Sequence, residues 1–457
     1  MGSLQRGPPY SGIQDLKVTI QESNLVFPAK ETEKRSKFLS NIDQVLNFNV
    51  PTIHFFPANG EFPPKIVAEK LKTALSKVLV PYDFLAGRLK LNHQSGRMEI
   101  DCNSAGAVFM VASCEFSLDE IGDLVYPNPA FGQLIVQKLD NVGPYDQPLC
   151  ILQFTSFKCG GFAMGLSNNH ATFDGISFKI FLQNLASQAF DDKPLAIPPH
   201  NDRTLLSART PPRVTFPHPE LLKLKIPIGE ELSPPTFDCP EEELDFKIFR
   251  LSSDEVNYLK NKAKAADPAE ATYYKITGFN VVTAHIWRCK ALSCDSKAGP
   301  ERPSTVLYAV DIRPRLNPPL PASYTGNAVL TAYATAQCKE LEEGPFSKLV
   351  KMVFEGASRM TDEYARSAID WGEVYKGFPH GEFLVSSWWR LGFADMEYPW
   401  GKPRYSCPVV HHRKDIILLF PDIDAANTDA VNVLVALPVK EMEKFETLFH
   451  KFLLEAK

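Results

Sequence analysis

The sequence lacks the motifs of several common enzyme classes. It contains no GxGxxG or Walker loop, which argues against nucleotide-phosphate binding of those types. It contains no GxSxG nucleophile elbow, which argues against an α/β-hydrolase. It also contains no HExxH and no evident ligand cluster for zinc. We therefore expect neither a metal site nor a bound cofactor.

Paired cysteines and targeting segments are also missing. The nine cysteines are scattered, no CxxC pair occurs, and an odd number cannot all pair with one another. We find no secretory signal at the start and no apolar run approaching the length of a membrane span. These absences predict reduced thiols, a cytoplasmic location and no membrane span.

Charge of one sign is not concentrated anywhere along the chain. The net charge is −5, the isoelectric point is near 6.1, and no basic face is evident, so nucleic acid is not an expected partner. The apolar content of 44% and charged content of 23% are typical of a globular protein. A chain of 457 residues exceeds one ordinary hydrophobic core and predicts two domains.

Proline marks the boundary between the two predicted domains. Residues 193–240 are rich in proline, which interrupts each helix or strand that could start there. We interpret this stretch as an ordered crossover joining an N-terminal lobe, 1–192, to a C-terminal lobe, 241–457. Both lobes mix predicted strands with predicted helices, which indicates the α/β class.

The segment GGFAMGLSNNHATFDG, at 160–175, is the best candidate for a reactive site. Two strands are predicted within 149–168, and a helix is predicted over 176–190. A strand, a turn and a helix would therefore present His170 and Asp174 at a rigid edge, where an imidazole can act as a general base. With no obvious nucleophile, the base is expected to activate the substrate's own hydroxyl or amine.

A second HxxxD spacing occurs at His411 and Asp415. It is surrounded by charged residues, precedes a strand, and has neither a glycine nor a helix behind it. We predict an exposed loop there. Two other histidines have ordinary structural explanations, because His285 lies in an apolar helix and His54 in a strand. For His54, a place lining a pocket is the alternative.

Two arginines are predicted at strands of the second lobe. Arg313 stands near the end of the predicted strand 304–316, and one interpretation of this residue is a solvated charge at the end of a strand. Arg390 follows two tryptophans in the predicted strand 382–393, and one interpretation of this residue is a stacking or structural role. Neither position alone indicates a chemical function.

Eight ordered segments together resemble the BAHD family of plant acyl-CoA-dependent acyltransferases over essentially the whole chain. Besides the HxxxDG at 170–175, they are LSNID (39–43), LAGRL (85–89), DRTLL (202–206), AHIWR (284–288), VDIRPRLNPPLP (310–321), YTGN (324–327) and SSWWRL (386–391). YPWGKP (398–403) stands at the place of the family's DFGWGKP. Single motifs are weak, but the ordered set is specific.

The resemblance implies a fold and a reaction. The fold would be two chloramphenicol acetyltransferase-like lobes of mixed sheets with flanking helices, joined by a long crossover loop. His170 would lie in a channel between them, remove the proton of an acceptor hydroxyl, and let the oxygen attack the thioester of acyl-CoA, the co-substrate. Asp174 would be a structural brace paired with Arg313. Arg390 and His54 are the candidates for contacting the acceptor.

The sequence departs from the family pattern at two places. Glu397, Tyr398 and Pro399 replace the usual Asp-Phe-Gly, whereas Trp400 and Gly401 are kept, in a motif that the resemblance assigns a structural role. Pro399 removes an N–H and fixes φ, so the local loop geometry is the feature it affects. In addition, an asparagine stands at 169, where many members have a second histidine.

The resemblance favours a hydroxycinnamyl or long-chain alcohol as the acceptor. Hydroxycinnamoyl transfer to a shikimate-type, ω-hydroxy fatty acid or amine acceptor is the neighbouring alternative. The non-enzymatic alternative is a two-lobed member of the family that binds ligands without catalysing a reaction. We expect a monomer that works in plant specialised metabolism.

Overall fold

The computed structural model describes residues 13–125, 128–223, 244–265, 274–294, 299–409, 413–423 and 429–454. Its strands are β1 (Thr19–Val26), β2 (Ser36–Lys37), β3 (Asn49–Phe56), β4 (Arg88–Asn92), β5 (Arg97–Asp101), β6 (Ala107–Ser113), β7 (Cys150–Ser156), β8 (Phe162–Asn169), β9 (Leu221–Lys223), β10 (Leu244–Leu251), β11 (Pro303–Asp311), β12 (Val329–Gln337), β13 (Gly377–Pro379), β14 (Phe383–Ser387), β15 (Tyr405–Pro408), β16 (Ile416–Pro421) and β17 (Val431–Pro438). Its α-helices are α1 (Asn41–Gln44), α2 (Pro64–Val78), α3 (Gly175–Gln188), α4 (Ser253–Ala265), α5 (Gly278–Ser293), α6 (Cys338–Glu343), α7 (Phe346–Ser358), α8 (Asp362–Tyr375) and α9 (Val439–Leu454).

The first of two units is built on a mixed sheet. Among the described residues this sheet has six strands in the order β1-β6-β7-β8-β3-β15, and only β6 and β7 are parallel neighbours. A turn at Gly160, whose φ of +86° suits glycine, connects β7 to β8. At Gly165 a glycine is needed for lack of space, because a Cβ there would lie 2.3 Å from the Leu134 carbonyl oxygen. The chain around Leu134 thus packs directly on β8.

The helices of the first unit bury one face each. Pro64 stands at the start of α2, where a missing N–H removes no helical hydrogen bond. The buried positions of α2 recur at helical spacing and are Val67, Ala68, Leu71, Ala74, Leu75 and Val78. α2 packs against α3, whose Phe178 and Phe181 join an aromatic cluster with Phe173 and Tyr82.

The second unit is also built on a mixed sheet. Its described strands run in the order β10-β17-β16-β14-β11-β12, with β14 parallel to both of its neighbours. The helix α5 is buried along most of its length, because α4, α7 and α9 all pack against it. An apolar helix buried on all sides explains the long apolar run that the sequence carries at this position.

The two units interleave along the chain. The first comprises 1–39, 46–201 and 392–410, and the second comprises 40–45, 202–391 and 411–457. The sequence predicted an uninterrupted division at 1–192 and 241–457 instead. The segment 392–410 joins the first unit because β15 pairs with β3, a contact between residues some 350 positions apart that local patterns do not reveal.

The described part of the predicted crossover, 193–223, is held by polar contacts where it runs beside α8. Arg209 donates to Asp370 at 2.6 Å, and Ser367 accepts backbone N–H groups from Thr215 and Phe216 at 2.9 and 3.2 Å. Such contacts fix an irregular chain that has no ladder of its own. Residues 224–240 of the predicted crossover lie outside the described residues.

Two predicted strands of the second unit end earlier than expected. β11 ends at Asp311, and Arg313 lies in a 3₁₀ turn that begins with it, because Pro314 cannot donate to a strand ladder. β14 ends at Ser387, so Trp389 and Arg390 lie in the following turn. The predictions that placed these arginines in strands are therefore wrong.

Among the described helices, none has the length and apolar character needed to cross a bilayer.

A buried ion pair in the second unit joins three of the sequence motifs. Asp43 of LSNID lies 3.4 Å from the Arg203 guanidinium of DRTLL, and both side chains are buried. Asn327 of YTGN donates its backbone N–H and its side-chain amide to Asp43 at 3.1 and 2.8 Å. Ser40 donates to the other carboxylate oxygen. A buried carboxylate is tolerated when its lone pairs are satisfied in this way.

Removing the Asp43 carboxylate should destabilise the protein strongly. Asp43→Ala leaves the Arg203 guanidinium buried without this partner, which costs about 3–5 kcal/mol in the free energy of unfolding. Glu446→Ala is the matched control, because it removes a partly exposed partner of Lys247 and should cost at most about 1 kcal/mol. Urea unfolding measures both. Equal losses in the two variants would contradict the account.

Candidate active site

The strand β8 carries the chain to His170 through the interior of the first unit. β8 pairs antiparallel with β3 on one side and β7 on the other, and all of its residues are buried. This explains the continuous apolar run before the histidine, because a central strand covered on both faces meets no water. The ladder with β3 ends at Asn169, which pairs with Asn49. His170 is therefore the first residue beyond the sheet.

Backbone hydrogen bonds define the turn after β8. The His170 N–H donates to the Phe48 carbonyl at 2.7 Å, and its carbonyl accepts the Phe173 N–H at 3.3 Å. The Thr172 N–H donates to the Asn169 carbonyl at 2.9 Å. The chain then enters α3 at Gly175. The predicted strand, turn and helix around the histidine are confirmed.

His170 is half-buried, unlike the strand residues that precede it. Its ring meets the ring of Phe48 edge to face, with centroids 5.2 Å apart and planes at 64°. An imidazole that is held by a rigid turn yet still accessible can exchange protons with a bound molecule. Phe48 was not predicted from the sequence, because its contact with His170 depends on the pairing of β3 with β8.

Asp174 is the N-cap of α3. Its backbone is extended, with φ −86° and ψ 179°, and its Oδ1 accepts the Ser177 N–H at 2.8 Å. A side-chain oxygen in this position satisfies one of the free N–H groups at a helix start. The side chain is buried, which fits an architectural role better than an exposed proton donor. Its predicted pair with Arg313 joins residues of different units and stays a prediction.

His54 is buried in β3, next to the edge strand β15 of the same sheet. Its Nδ1 lies 2.8 Å from the Ser406 hydroxyl of the neighbouring strand. Burial lowers the pKa of His54 to about 3, because the charged imidazolium would lose its hydration. The strand placement predicted from the sequence is confirmed, and the residue is fully rather than half buried. A role in contacting the acceptor stays a prediction.

Two arginines of the second unit have carboxylate partners in that unit. Arg313 is buried and donates to the Asp311 carboxylate at 3.0 Å, so it is not a solvated charge. Arg390 is exposed, donates to Asp429 at 2.6 Å, and lies over the Trp389 ring at 5.0 Å. Stacking on a tryptophan is the alternative that the sequence offered for Arg390, whereas the partner Asp429, 39 positions away, was not evident from local patterns.

The YPWG turn packs two aromatic rings on the sheet of the first unit. The Tyr398 and Trp400 rings stack with centroids 5.2 Å apart, and both meet Phe56 of β3 edge to face. Tyr398 and Gly401 exchange backbone hydrogen bonds of 3.2 and 3.0 Å, and the φ of +106° at Gly401 requires glycine. Glu397 lies at the surface, 3.7 Å from Lys402.

Other candidate groups occupy ordinary structural positions. His285 is buried in α5, and burial lowers its pKa to about 3. Asp415 pairs with Arg413, while His411 lies outside the described residues. Among the residues that the structure describes, no three His, Cys, Asp or Glu side chains cluster in a way that could hold a metal ion.

Comparison with known proteins shows that this chain matches a protein family. Residues 16–452 match the model described as the Transferase family. The chain is 60% identical to the acyltransferase GLAUCE of Arabidopsis thaliana, over 98% of this chain and 99% of that one. It is 34% identical to an ω-hydroxypalmitate O-feruloyl transferase of Arabidopsis thaliana, over 95% and 93% of the two chains.

The fold has a close counterpart among solved structures. The crystal structure of vinorine synthase aligns with a TM-score of 0.72, covering 94% of this chain and 96% of that one, at 24% sequence identity. At this identity the likeness concerns the fold. The predicted α/β fold with two lobes of mixed sheets and flanking helices is confirmed.

The buried, neutral state of His54 predicts a stability loss on mild acidification. Below pH 6.5 the unfolded chain binds a proton at His54, whereas the folded protein stays neutral there down to about pH 3, so stability falls as pH falls through this window. From pH 7.5 to 5.5 the loss is about 1 kcal/mol. His54→Gln, measured by urea unfolding at both pH values, should lose about 1 kcal/mol less than the parent. An identical loss in both proteins would refute the neutral state.

Proposed function

The chain belongs to the BAHD family of acyl-CoA-dependent acyltransferases, and we propose that it transfers an acyl group from CoA to an alcohol with His170 as the general base. Acyl-CoA is the co-substrate of this family. The observation that carries the proposal is the half-buried imidazole, fixed by the turn between β8 and α3 and still accessible. His54, the other histidine that was predicted as a site residue, lacks these properties because it is buried and uncharged.

The reaction follows from one base and one activated acyl donor. A ring nitrogen of His170 accepts the proton of the acceptor hydroxyl as its oxygen forms a bond to the thioester carbonyl carbon. The tetrahedral intermediate then breaks the carbon–sulfur bond, and the imidazolium returns the proton to the departing thiolate. The products are an ester and free CoA. General base catalysis of this kind contributes about 10²–10⁴-fold to the rate. The thioester is already activated, so no acyl-enzyme is required.

We propose a hydroxycinnamoyl donor and a long-chain or hydroxycinnamyl alcohol as acceptor. A relative that is 33% identical carries this chemistry in its name, a fatty alcohol:caffeoyl-CoA acyltransferase of Arabidopsis thaliana. Arg390 supports an uncharged acceptor over a shikimate-type acid, because its guanidinium is already paired with Asp429 at 2.6 Å. A carboxylate acceptor would have to compete with Asp429 for this guanidinium.

We propose that Asp174 acts as a brace and takes no part in proton transfer. It caps α3, and a pair with Arg313 would compensate its buried charge. We propose a structural role for the Glu397–Gly401 turn as well, because Tyr398 and Trp400 bury their rings on β3.

We propose that the enzyme acts in the cytoplasm as a monomer. The described cysteines are all free thiols, which suits a reducing compartment. Burial raises the pKa of Cys150 and of Cys407 to about 12, so these thiols stay protonated and unreactive.

Two variants of Asp174 should separate capping from bracing. Asp174→Asn keeps an oxygen for the Ser177 N–H but removes the charge, and we expect it to lower both the melting temperature and the turnover number. Asp174→Ala also removes the cap and should cost about 1 kcal/mol more. Calorimetry and steady-state assays measure the two effects. Lost turnover with unchanged melting in Asp174→Asn would instead make Asp174 a direct catalytic group.

Loss of the His170 imidazole should abolish most turnover in a folded protein. The parent is first screened by mass spectrometry with hydroxycinnamoyl-CoA donors against alcohols, shikimate-type acids and amines. With the best pair, we expect His170→Ala to lower kcat by about 10²–10⁴-fold. His170→Gln, which keeps polarity but not basicity, should be equally impaired.

The same assays test the alternatives. Near-parental rates in His170→Ala would overturn the general-base assignment. Ester or amide formation distinguishes an alcohol from an amine acceptor, and a parent that binds acyl-CoA without releasing CoA for any acceptor would be a non-catalytic ligand binder.

A further inference from the structure

The segment Asn47–Phe48–Asn49 lies directly beside the turn that carries His170. The Phe48 carbonyl accepts the His170 N–H at 2.7 Å, and Asn49 is the register partner of Asn169. The segment therefore contacts the backbone on both sides of the point where the histidine leaves the sheet. Its own side chains extend these contacts.

Asn169 connects this segment to the turn through both ends of its amide group. Its Oδ1 accepts the Ala171 N–H at 3.0 Å, which fixes the orientation of the amide, because only the oxygen can accept. The Nδ2 then points the other way and donates to the Asn47 Oδ1 at 2.8 Å. Asn47 must therefore present an acceptor at this point.

The other end of the segment is fixed as well. The Asn49 Nδ2 donates to the Gln137 carbonyl, in the chain that follows the 3₁₀ turn Pro129–Leu134. Phe48 is thus held between two anchored asparagines. The residue is 40% exposed, which is unusual for a phenylalanine, and its ring meets the His170 ring edge to face at 5.2 Å.

We propose that Asn47, Phe48 and Asn169 form a positioning clip that sets the orientation of the His170 imidazole. The bond between Asn47 and Asn169 fixes the backbone at Phe48, and the Phe48 ring then limits the rotation of the imidazole. None of the three is a catalytic residue, since each acts through His170. The inference rests on the proposed role of His170 as the base. An error of about 1 Å in such a group can cost on the order of 10²-fold in rate.

Two nearly isosteric variants of Asn47 test the clip. Asn47→Leu removes the acceptor for Asn169 while keeping the side-chain shape, and Asn47→Asp keeps an acceptor. With each enzyme at its own optimal pH, we expect Asn47→Leu to lower kcat by about 10–100-fold. We expect KM for both substrates to change less than about twofold, because the clip does not bind them. Asn47→Asp should recover most of the lost kcat.

Phe48→Leu provides an independent measurement should Asn47→Leu fold poorly. It leaves the backbone bond to His170 in place and removes only the aromatic edge, so kcat should fall with little change in melting temperature. Asn24→Leu is the matched control, because it removes an asparagine contact with Glu22 on the edge strand β1 of the same sheet. The control should keep the parental kcat.

The outcomes separate the clip from the role of His170 itself. If His170→Ala loses turnover while Asn47→Leu and Phe48→Leu keep the parental kcat, the clip is wrong and the proposed function stands. If Asn47→Leu and Asn47→Asp lose activity equally and in step with their melting temperatures, the segment is merely structural, and the inference is again overturned. If His170→Ala keeps turnover, the proposed function itself is wrong.

Discussion

The pairing of β8 with β3 is the constraint on which the candidate site depends. It ends at Asn49 and Asn169, so it determines where His170 leaves the sheet and which residues lie beside it. β3 pairs on its other edge with β15 and receives the stacked rings of the YPWG turn on Phe56. His170 and the aromatic turn are thus supported by the same strand. Changes in β3 are therefore expected to affect both.

The Asp43 network and His170 are two contrasting polar features of this protein. Asp43, Arg203 and Asn327 form a buried network in the second unit, where each partner compensates another. This contact gives a physical reason for the three separate motifs that contain them. His170, by contrast, is only half-buried, and its backbone N–H donates to the Phe48 carbonyl. The first arrangement stabilises the fold, and the second is the one for which we propose proton transfer.

Local sequence patterns were sufficient for the elements around the histidine. The apolar run of β8, the glycines at 160 and 161, and an aspartate that caps α3 act within a few residues of one another, and the structure confirms the resulting strand, turn and helix. Contacts between distant residues were not accessible in this way. The pairing of β15 with β3, the contact of Phe48 with His170 and the partner of Arg390 all depend on the complete fold. The positions of Arg313 and Arg390 were missed for a smaller reason, since both follow strands that end early.

In the proposed reaction, His170 removes a proton and does not itself carry the acyl group. Initial-rate kinetics with acyl-CoA and acceptor both varied tests this most directly. Direct transfer requires both substrates to be bound at once, so the account predicts double-reciprocal lines that intersect. Parallel lines would indicate that CoA leaves before the acceptor binds, and hence that an acylated enzyme forms. That result would contradict the general-base assignment.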